Sequence, residues 1–447
     1  MSELSGLASK VVGWARDKED VEVYLVRSTD TEIRAYEGEV ESLSSATSAG
    51  AGIRVVSGGR QGFAYTGSLE EEDLAETLAE ARDNAAFSSP ELWVGLQPPD
   101  GVAPVSLDLW RDELAVYTTE RKVGAALDLE KAVLASDPRI NHVESATWGD
   151  ASSEVAVASS LGISAEDRST ACYLAAMAVA GQEGQSQVAH GYTVGRGPSE
   201  LDPAKAATEA VTRAVRMLGA VKPRSAHVCV VLEPRVSAQL LGLLGHMLSG
   251  EMVLKGVSLF AGHLGESVAS PMFTLADDPT EPAAWGAAAF DAEGFACRRN
   301  VMIEGGVLRR FLYDTTSARR AGTSSTASAV RAGYKSAPGV GAQAVCLAPG
   351  DKSPEEVLAQ VGKGLLVQSV TGVHSGVNPI SGDFSVGAEG LLIRGGELAA
   401  PVKELTIAST VQRMLQGVTI IGKDLEWLPA SAAGMTVAIS EMSMSGS

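Results

Sequence analysis

Three Gly-Gly pairs constrain this chain more than any other feature. Gly58-Gly59, Gly305-Gly306 and Gly395-Gly396 each stand between runs of strand-forming residues: Gly50 to Val56 and Gly62 to Tyr65, Val301 to Ile303 and Val307 to Leu312, and Leu391 to Ile393 and Leu398 onward. Two adjacent glycines take positive φ at little cost, as the tight two-residue hairpin requires, so each pair predicts two antiparallel strands. Glycine is abundant throughout, at 48 of 447 residues, and no collagen-like period of three explains it. Aromatic residues make up only 5%, so Ala, Val, Leu and Ile must fill the cores.

Helical signals fall between the strand runs. Leu4 to Trp14 places Leu4, Leu7, Val11 and Val12 at helical spacing, and strand-like runs follow at Val21 to Val26, Ile33 to Tyr36 and Val40 to Ser45. Ser68 to Phe87 opens with Ser68 and Glu71 in capping-box spacing and keeps Leu74, Leu78 and Ala81 on one stripe. Leu96 to Val105, with Pro98, Pro99 and Pro104, reads as a linker. A helical region from about Leu107 to Ser136 comes next, then strands at Val143 to Ala146, Glu154 to Ser159, Ser169 to Val179 and Ser186 to Thr193, and a helix from Pro203 to Leu218. Beyond Lys222-Pro223-Arg224 lie a strand, Val228 to Leu232, an apolar helix, Val236 to Leu248, and mostly strand-like runs. The expectation is a multi-domain α+β chain in three parts: an N-terminal α/β meander unit over 1–95, a middle α+β region over 106–221 and a larger, mostly antiparallel β domain over 225–447.

Charge narrows the function. Against 55 Asp and Glu stand 36 Lys and Arg, a net −19 that repels polyphosphates and disfavours nucleic acid as a partner. Within it, Asp291 to Lys335 reverses sign, with eight basic residues against four acids. Such runs are commonly solvated strand faces; the alternative is a contact for a partner or a substrate carboxylate. Cys172, Cys229, Cys297 and Cys346 show no short spacing and read as buried reduced thiols. Met1 to Asp20 lacks the apolar core of a signal peptide, and the best apolar run, Ala171 to Ala180, is too short for a membrane span. A soluble cytoplasmic protein is expected, without a membrane partner.

Two segments could carry chemistry. On the helix Leu240 to His246, a zinc hydrolase would need converging imidazoles, a neighbouring carboxylate and an open coordination position. His246 stands alone there, and a lone histidine on an apolar helix is more often packed in a core or interface; His142, His190, His227 and His263 are scattered. The second segment, Thr371 to Ser385, gathers His374, Ser375, Asn378, Ser381 and Asp383 among three glycines. It reads as a polar loop with turns at Asn378-Pro379 and Ser381-Gly382, as the wall of a peptide channel, or as part of a Ser/His/Asp hydrolase, although no GxSxG elbow is present.

The run HSGVNPISGDFSVGAEG inside Gly372 to Gly390, the Gly395-Gly396 hairpin and Gly422-Lys423-Asp424-Leu425 together resemble the C-terminal signature of the TldD/TldE (PmbA) family. Asp277-Asp278-Pro279, Phe290 to Gly294 and Tyr36-Glu37-Gly38 agree in order and spacing, so the resemblance spans nearly the whole chain. It implies three regions and a metallopeptidase of two chain types: a TldD type carrying zinc on an HExxxH helix and a late cysteine, and a TldE type without them. Laid on this helix, HExxxH puts Leu241 at the first histidine, Gly242 at the glutamate and His246 at the second histidine, and no cysteine follows Asp424. The chain therefore resembles the TldE type. It departs from the family pattern Ser-Thr-Gly-Asn-Ala-x-Arg at Ser325 to Arg331, with Ala327 and Ser328 in place of glycine and asparagine.

The resemblance implies a peptidase subunit with no cofactor of its own and zinc in a TldD-type partner. That partner would be a second chain type, with self-association as the alternative, and the substrate a peptide. His246, His374, Ser375, Asn378, Ser381 and Asp383 are the expected channel or interface residues, and Arg319, Arg320 and Arg331 the expected charge contacts. An autonomous hydrolase built on the His374 loop and an adaptor acting on a gyrase-type enzyme are the competing readings.

Overall fold

In the computed structural model, which describes residues 2–446, the N-terminal half is built on one long antiparallel sheet. After helix α1 (Glu3–Val12) come β1 (Asp20–Tyr36), β2 (Glu39–Ser57) and β3 (Arg60–Thr66), helix α2 (Glu71–Phe87), a short helix α3 (Asp112–Ala115) and α4 (Thr119–Ser136). Strands β4 (Ile140–Ser159), β5 (Ser164–Gln182) and β6 (Gln185–Gly195) and helix α5 (Pro203–Val215) complete it. The sheet order is β3-β2-β1-β4-β5-β6. Because β1 pairs with β4 from Glu22↔Ser159 to Ala35↔Ala146, one ladder runs across the proline-rich linker.

The strands are far longer than the usual five or six residues. Three pairs of runs expected as separate strands, 21–26 with 33–36, 40–45 with 50–56 and 143–146 with 154–159, are each one strand. In β1 and β2 the intervening polar stretch stays extended because hydroxyls pair across the two strands: Ser28 with Ser48 at 2.9 Å, Thr29 with Thr47 at 3.0 Å and Thr31 with Ser45 at 3.2 Å. That length accommodates two helix pairs side by side on one face. Helices α1 and α2 cover Val21, Val23, Leu25, Ile53 and Val55 at one end, while α4 and α5 cover Ile33, Ala146, Trp148, Leu174 and Ala176 at the other. The capping box expected at Ser68 does not form. Glu70 is the N-cap of α2 without a side-chain bond, and the Ser68 hydroxyl instead accepts from Glu70 N–H.

All three Gly-Gly pairs occupy positive φ: 58° and 74° at Gly58-Gly59, 54° and 80° at Gly305-Gly306, 61° and 84° at Gly395-Gly396. Beyond residue 225, β7 (Ala226–Leu232) leads into helix α6 (Pro234–Met247). Strand β7 lies within a six-stranded sheet ordered Glu397–Thr410, Asp383–Arg394, Lys363–Thr371, β7, Val437–Ser445, Val418–Ile421. A further pairing of Glu397–Thr410 with Val437–Ser445 closes it upon itself. Helix α6 plugs the core with Val236, Leu241, Leu244 and Met247. A smaller four-stranded sheet contains Leu275–Asp277, Asn300–Glu304 and Val345–Leu347. No helix among the described residues is long and apolar enough to cross a membrane.

Candidate functional site

The two segments singled out in the sequence lie against each other. Leu240 and Leu243 of α6, with Val370, Val373 and Phe384, line a single apolar void of about 20 Å³. In the 371–385 segment, Gly372 at φ 76° lets the chain turn into a short helix, Val373–Gly376. Asn378 then makes an Asx turn, its Oδ1 accepting from Ile380 N–H at 2.9 Å and Ser381 N–H at 3.2 Å. The Ser381 hydroxyl donates to Asp383 at 2.7 Å. Asn378, Ser381 and Asp383 are thus brought together in one exposed turn. His374 and Ser375 are exposed on the preceding turn, where the Ser375 hydroxyl donates to Gly372 C=O and His374 bonds none of these side chains. No Ser-His-Asp relay forms among these described side chains.

Helix α6 offers little to a metal. Leu241 is 2% exposed within the core, and Gly242 packs against Ser431 and Ala432. His246, expected in a core or at an interface, is exposed at the helix end and so is not a core residue. Cys346 sits on the strand Val345–Leu347, where burial pushes its thiol up to about 11, so it remains protonated at neutral pH. Among the described residues, no three His, Cys, Asp or Glu side chains converge to hold a metal ion.

The buried chemistry lies at the seam between the long sheet and the C-terminal domain. Glu22 on β1 and Arg54 on β2 point away from the helices into this seam. There Arg54 donates to Glu22 at 2.5 Å and to Glu293 at 3.0 Å, with all three side chains about 3% exposed or less. Arg331, expected as a charge contact, closes the network inside the chain, bonded to Glu22 and set over the Tyr24 ring at 4.9 Å. Burial lowers the Arg331 pKa against the opposing pull of Glu22; at Glu293 burial raises the pKa against the pull of Arg54. Glu293 also accepts from Thr315 N–H at 2.9 Å, at the start of the helix Thr315–Ala321. Asp291 accepts from the N–H groups of Glu293, Phe295 and Ala329, yet burial and the nearby Glu293 raise its pKa. Above this cluster, Tyr24, Phe290, Asp291 and Arg331 line a cavity of about 320 Å³.

The other expected charge contacts, Arg319 and Arg320, are exposed, each with one contact inside the chain. Arg319 donates to Leu96 C=O at 3.4 Å, and Arg320 lies over the Trp93 ring at 5.3 Å. Arg298 pairs with Asp100 at 2.6 Å, Arg299 with Asp278 at 3.4 Å, Arg309 with Glu304 at 3.2 Å, and Arg310 donates to Asn300. Arg299 and Arg309 remain about half exposed in their pairs, so much of the basic stretch is solvated surface, and Arg331 is the arginine of the stretch that is buried in the network. Glu22, Arg54 and Glu293 escaped the sequence reading, as did Arg213 and Arg216, which grip Glu233 beside a cavity of about 670 Å³ between α5 and the C-terminal sheet. The one signal was Glu293, inside the quoted Phe290 to Gly294 motif.

Family models described as PmbA/TldA metallopeptidase domain 1, central domain and C-terminal domain match residues 21–85, 112–218 and 225–446. The chain belongs to the PmbA/TldD family. Metalloprotease PmbA of Escherichia coli O157:H7 is 27% identical over 445 residues, which cover 99% of this chain and 96% of that one. The Metalloprotease TldD homolog of Haemophilus influenzae is 25% identical, covering 96% and 94%. TldE from Thermococcus kodakarensis superposes with a TM-score of 0.90 at 25% identity, over 100% of both chains. A Thermotoga maritima protein described as a candidate modulator of a DNA gyrase shares the fold, with a TM-score of 0.91 at 23% identity over 98% and 99%. The family's metalloprotease names raise the question of zinc, and the residues here do not fit it: an apolar side chain, a glycine and one exposed histidine occupy the HExxxH positions.

Proposed function

We propose that this chain is the metal-free subunit of a TldD/TldE-type peptidase, forming part of a peptide channel while a zinc-bearing TldD-type chain supplies the activated water. The observation that carries the reading is Leu241. A zinc ligand must offer a nitrogen, sulfur or oxygen donor, and Leu241, packed at 2% exposure among apolar side chains, has none to offer. The exposed turn with His374, Ser375, Asn378, Ser381 and Asp383 serves as channel wall or interface, its backbone and short polar side chains suited to hydrogen-bond an extended peptide without sequence preference. The test is to purify the chain alone and together with a TldD-type chain, and to measure bound zinc and cleavage of an unfolded peptide in each. Activity should appear only in the pair. Stoichiometric zinc or chelator-sensitive cleavage by the lone chain would overturn the reading.

A further inference from the structure

The face of the long sheet that looks into the seam carries more than the buried network. Side chains on that face of β1, β4 and β5 stand in rows, because the three strands pair residue by residue. One row is Val26, Val155 and Asp167; the next is Ser28, Ser153 and Ser169; then come Asp30, Ala151 and Ala171, and Glu32, Gly149 and Tyr173. The cavity of about 320 Å³ described above reaches Ser153 and Ser169, with Asp167 beside them. A second cavity, of about 270 Å³, begins on the next row and is lined by Asp30, Glu32, Ala171 and Tyr173, and by Trp285 from the C-terminal domain. The two cavities occupy successive rows of one groove, walled by Ala287 and Ala288 along the first part and by Trp285 along the second. Its carboxylates have no counter-charge: Asp30, Glu32 and Asp167 form no ion pair among the described residues. Glu32 accepts from the Tyr173 hydroxyl at 3.2 Å, and Asp167 accepts from the backbone N–H groups of Arg168 and Ala289 at 2.8 and 3.4 Å. The nearby cations are engaged elsewhere, Arg331 with Glu22, Arg168 over the Trp110 ring at 5.0 Å, and Arg196 with the carbonyls of Ala284 and Trp285. The Ser153 and Ser169 hydroxyls have no hydrogen-bond partner among the described residues.

We propose that this groove binds a linear polyamine. Ammonium groups suit unpaired carboxylates and the faces of aromatic rings, and unbonded hydroxyls can accept their remaining protons. The rings are in place for this. A Cβ at Gly149 would lie 2.1 Å from the Tyr173 ring, so the missing side chain lets that ring lie across β4, and Trp285 already holds the Arg196 guanidinium 5.6 Å from its centre. Between the charged rows, Val155, Ala151 and Ala171 offer an apolar floor for methylene spacers. Spacing selects the length. Asp30 lies four residues along β1 from the row of Asp167 and two strands over, about 16 Å away by strand rise and strand separation. A fully staggered tetraamine such as spermine spans about that distance, with an inner ammonium at the row of Ser153 and Ser169. A diamine reaches one end only, and a metal ion finds no three His, Cys, Asp or Glu side chains converging among the described residues. Such binding requires neither a partner chain nor peptidase activity, so it stands or falls apart from the subunit reading.

The test is calorimetric titration of the full chain with spermine at physiological salt, with putrescine as the control for length and magnesium as the control for diffuse charge on a chain of net −19. Spermine should bind one to one, at least tenfold more tightly than putrescine, and excess magnesium should not displace it. Asp30→Asn with Glu32→Gln and, separately, Asp167→Asn should each weaken spermine at least tenfold. Glu72→Gln with Glu76→Gln, an equal charge change on the exposed face of α2, should leave binding unchanged. Thermal melting checks that each variant folds. Should the carboxylate variants fail to fold, Ala171→Phe obstructs the groove between Ser169 and Tyr173 without altering any charge, and should abolish binding. No saturable binding, equal affinity for putrescine, displacement by magnesium, or a folded groove variant that binds as the α2 control does would each overturn the proposal.

Discussion

At the scale of single residues, the decisive groups are those a local pattern assigns to the wrong side. Glu22 alternates with Val21 and Val23, which by strand periodicity places it on the solvent face; the C-terminal domain covers that face, and Glu22 is 3% exposed. Periodicity reports which residues share a face, and nothing in it says what covers the face. Removing one partner from such a network strands a buried charge, so Arg54→Ala should cost about 3–5 kcal/mol in urea unfolding, whereas a truncation at the exposed pair Lys10–Glu71 should cost less than about 1 kcal/mol. Asp277, from the Asp277-Asp278-Pro279 motif, supplies a pH test. Its Oδ1 accepts from Gln343 and Ala344 N–H at 2.9 and 2.7 Å, Oδ2 has no partner, and burial pushes its pKa up to about 6. The unfolded value is near 3.9, so between about pH 4 and 6 the native state holds a proton that the unfolded chain releases. Asp277 should therefore make stability fall as pH rises through that window, by up to about 3 kcal/mol in total. Asp277→Asn should flatten that slope in urea midpoints measured across the window; an unchanged slope would remove Asp277 as its origin.

At the scale of elements, the hairpins were the legible part because their turn chemistry is local. Gly58 shows this cleanly: at φ 58° with nothing within 4 Å of a Cβ, Gly58→Ala meets no clash, so its predicted cost of about 1–2 kcal/mol is conformational alone and is readable in denaturant midpoints. Strand length was not legible. The stretch Arg27 to Glu32 is polar and carries no apolar strand signal, yet hydroxyl pairs between β1 and β2 carry the strand through it. The helix α6 was legible in extent but not in the exposure of its histidine, since one turn at a helix end can face either core or solvent. Leu241→His with Gly242→Glu restores the family's metal motif in letters only. The double variant should bury an imidazole in the apolar core, lower the melting temperature and bind no stoichiometric zinc by elemental analysis, because the tail after Asp424 has no cysteine to serve as the third ligand.

At the scale of the whole molecule, the sequence marked three segments by linker composition, and the family models match three segments too, but the ladder β1–β4 and the buried Glu22–Arg54–Glu293 network show how tightly these are joined. Long-range joints leave no trace in composition or periodicity: in the basic stretch from Asp291 to Lys335 most arginines stay exposed, as a solvated face would, while Arg331 is buried against Glu22, a partner far away in the chain. The same organisation frames the functional claim. The proposal rests on α6, where the family resemblance lays Leu241 and Gly242 on the first histidine and the glutamate of HExxxH. The most direct measurement is elemental zinc together with peptide cleavage for the purified chain, alone and mixed with a TldD-type chain: no stoichiometric zinc and no cleavage alone, with chelator-sensitive cleavage in the mixture, is the predicted result, and zinc-dependent cleavage by the chain alone would contradict it.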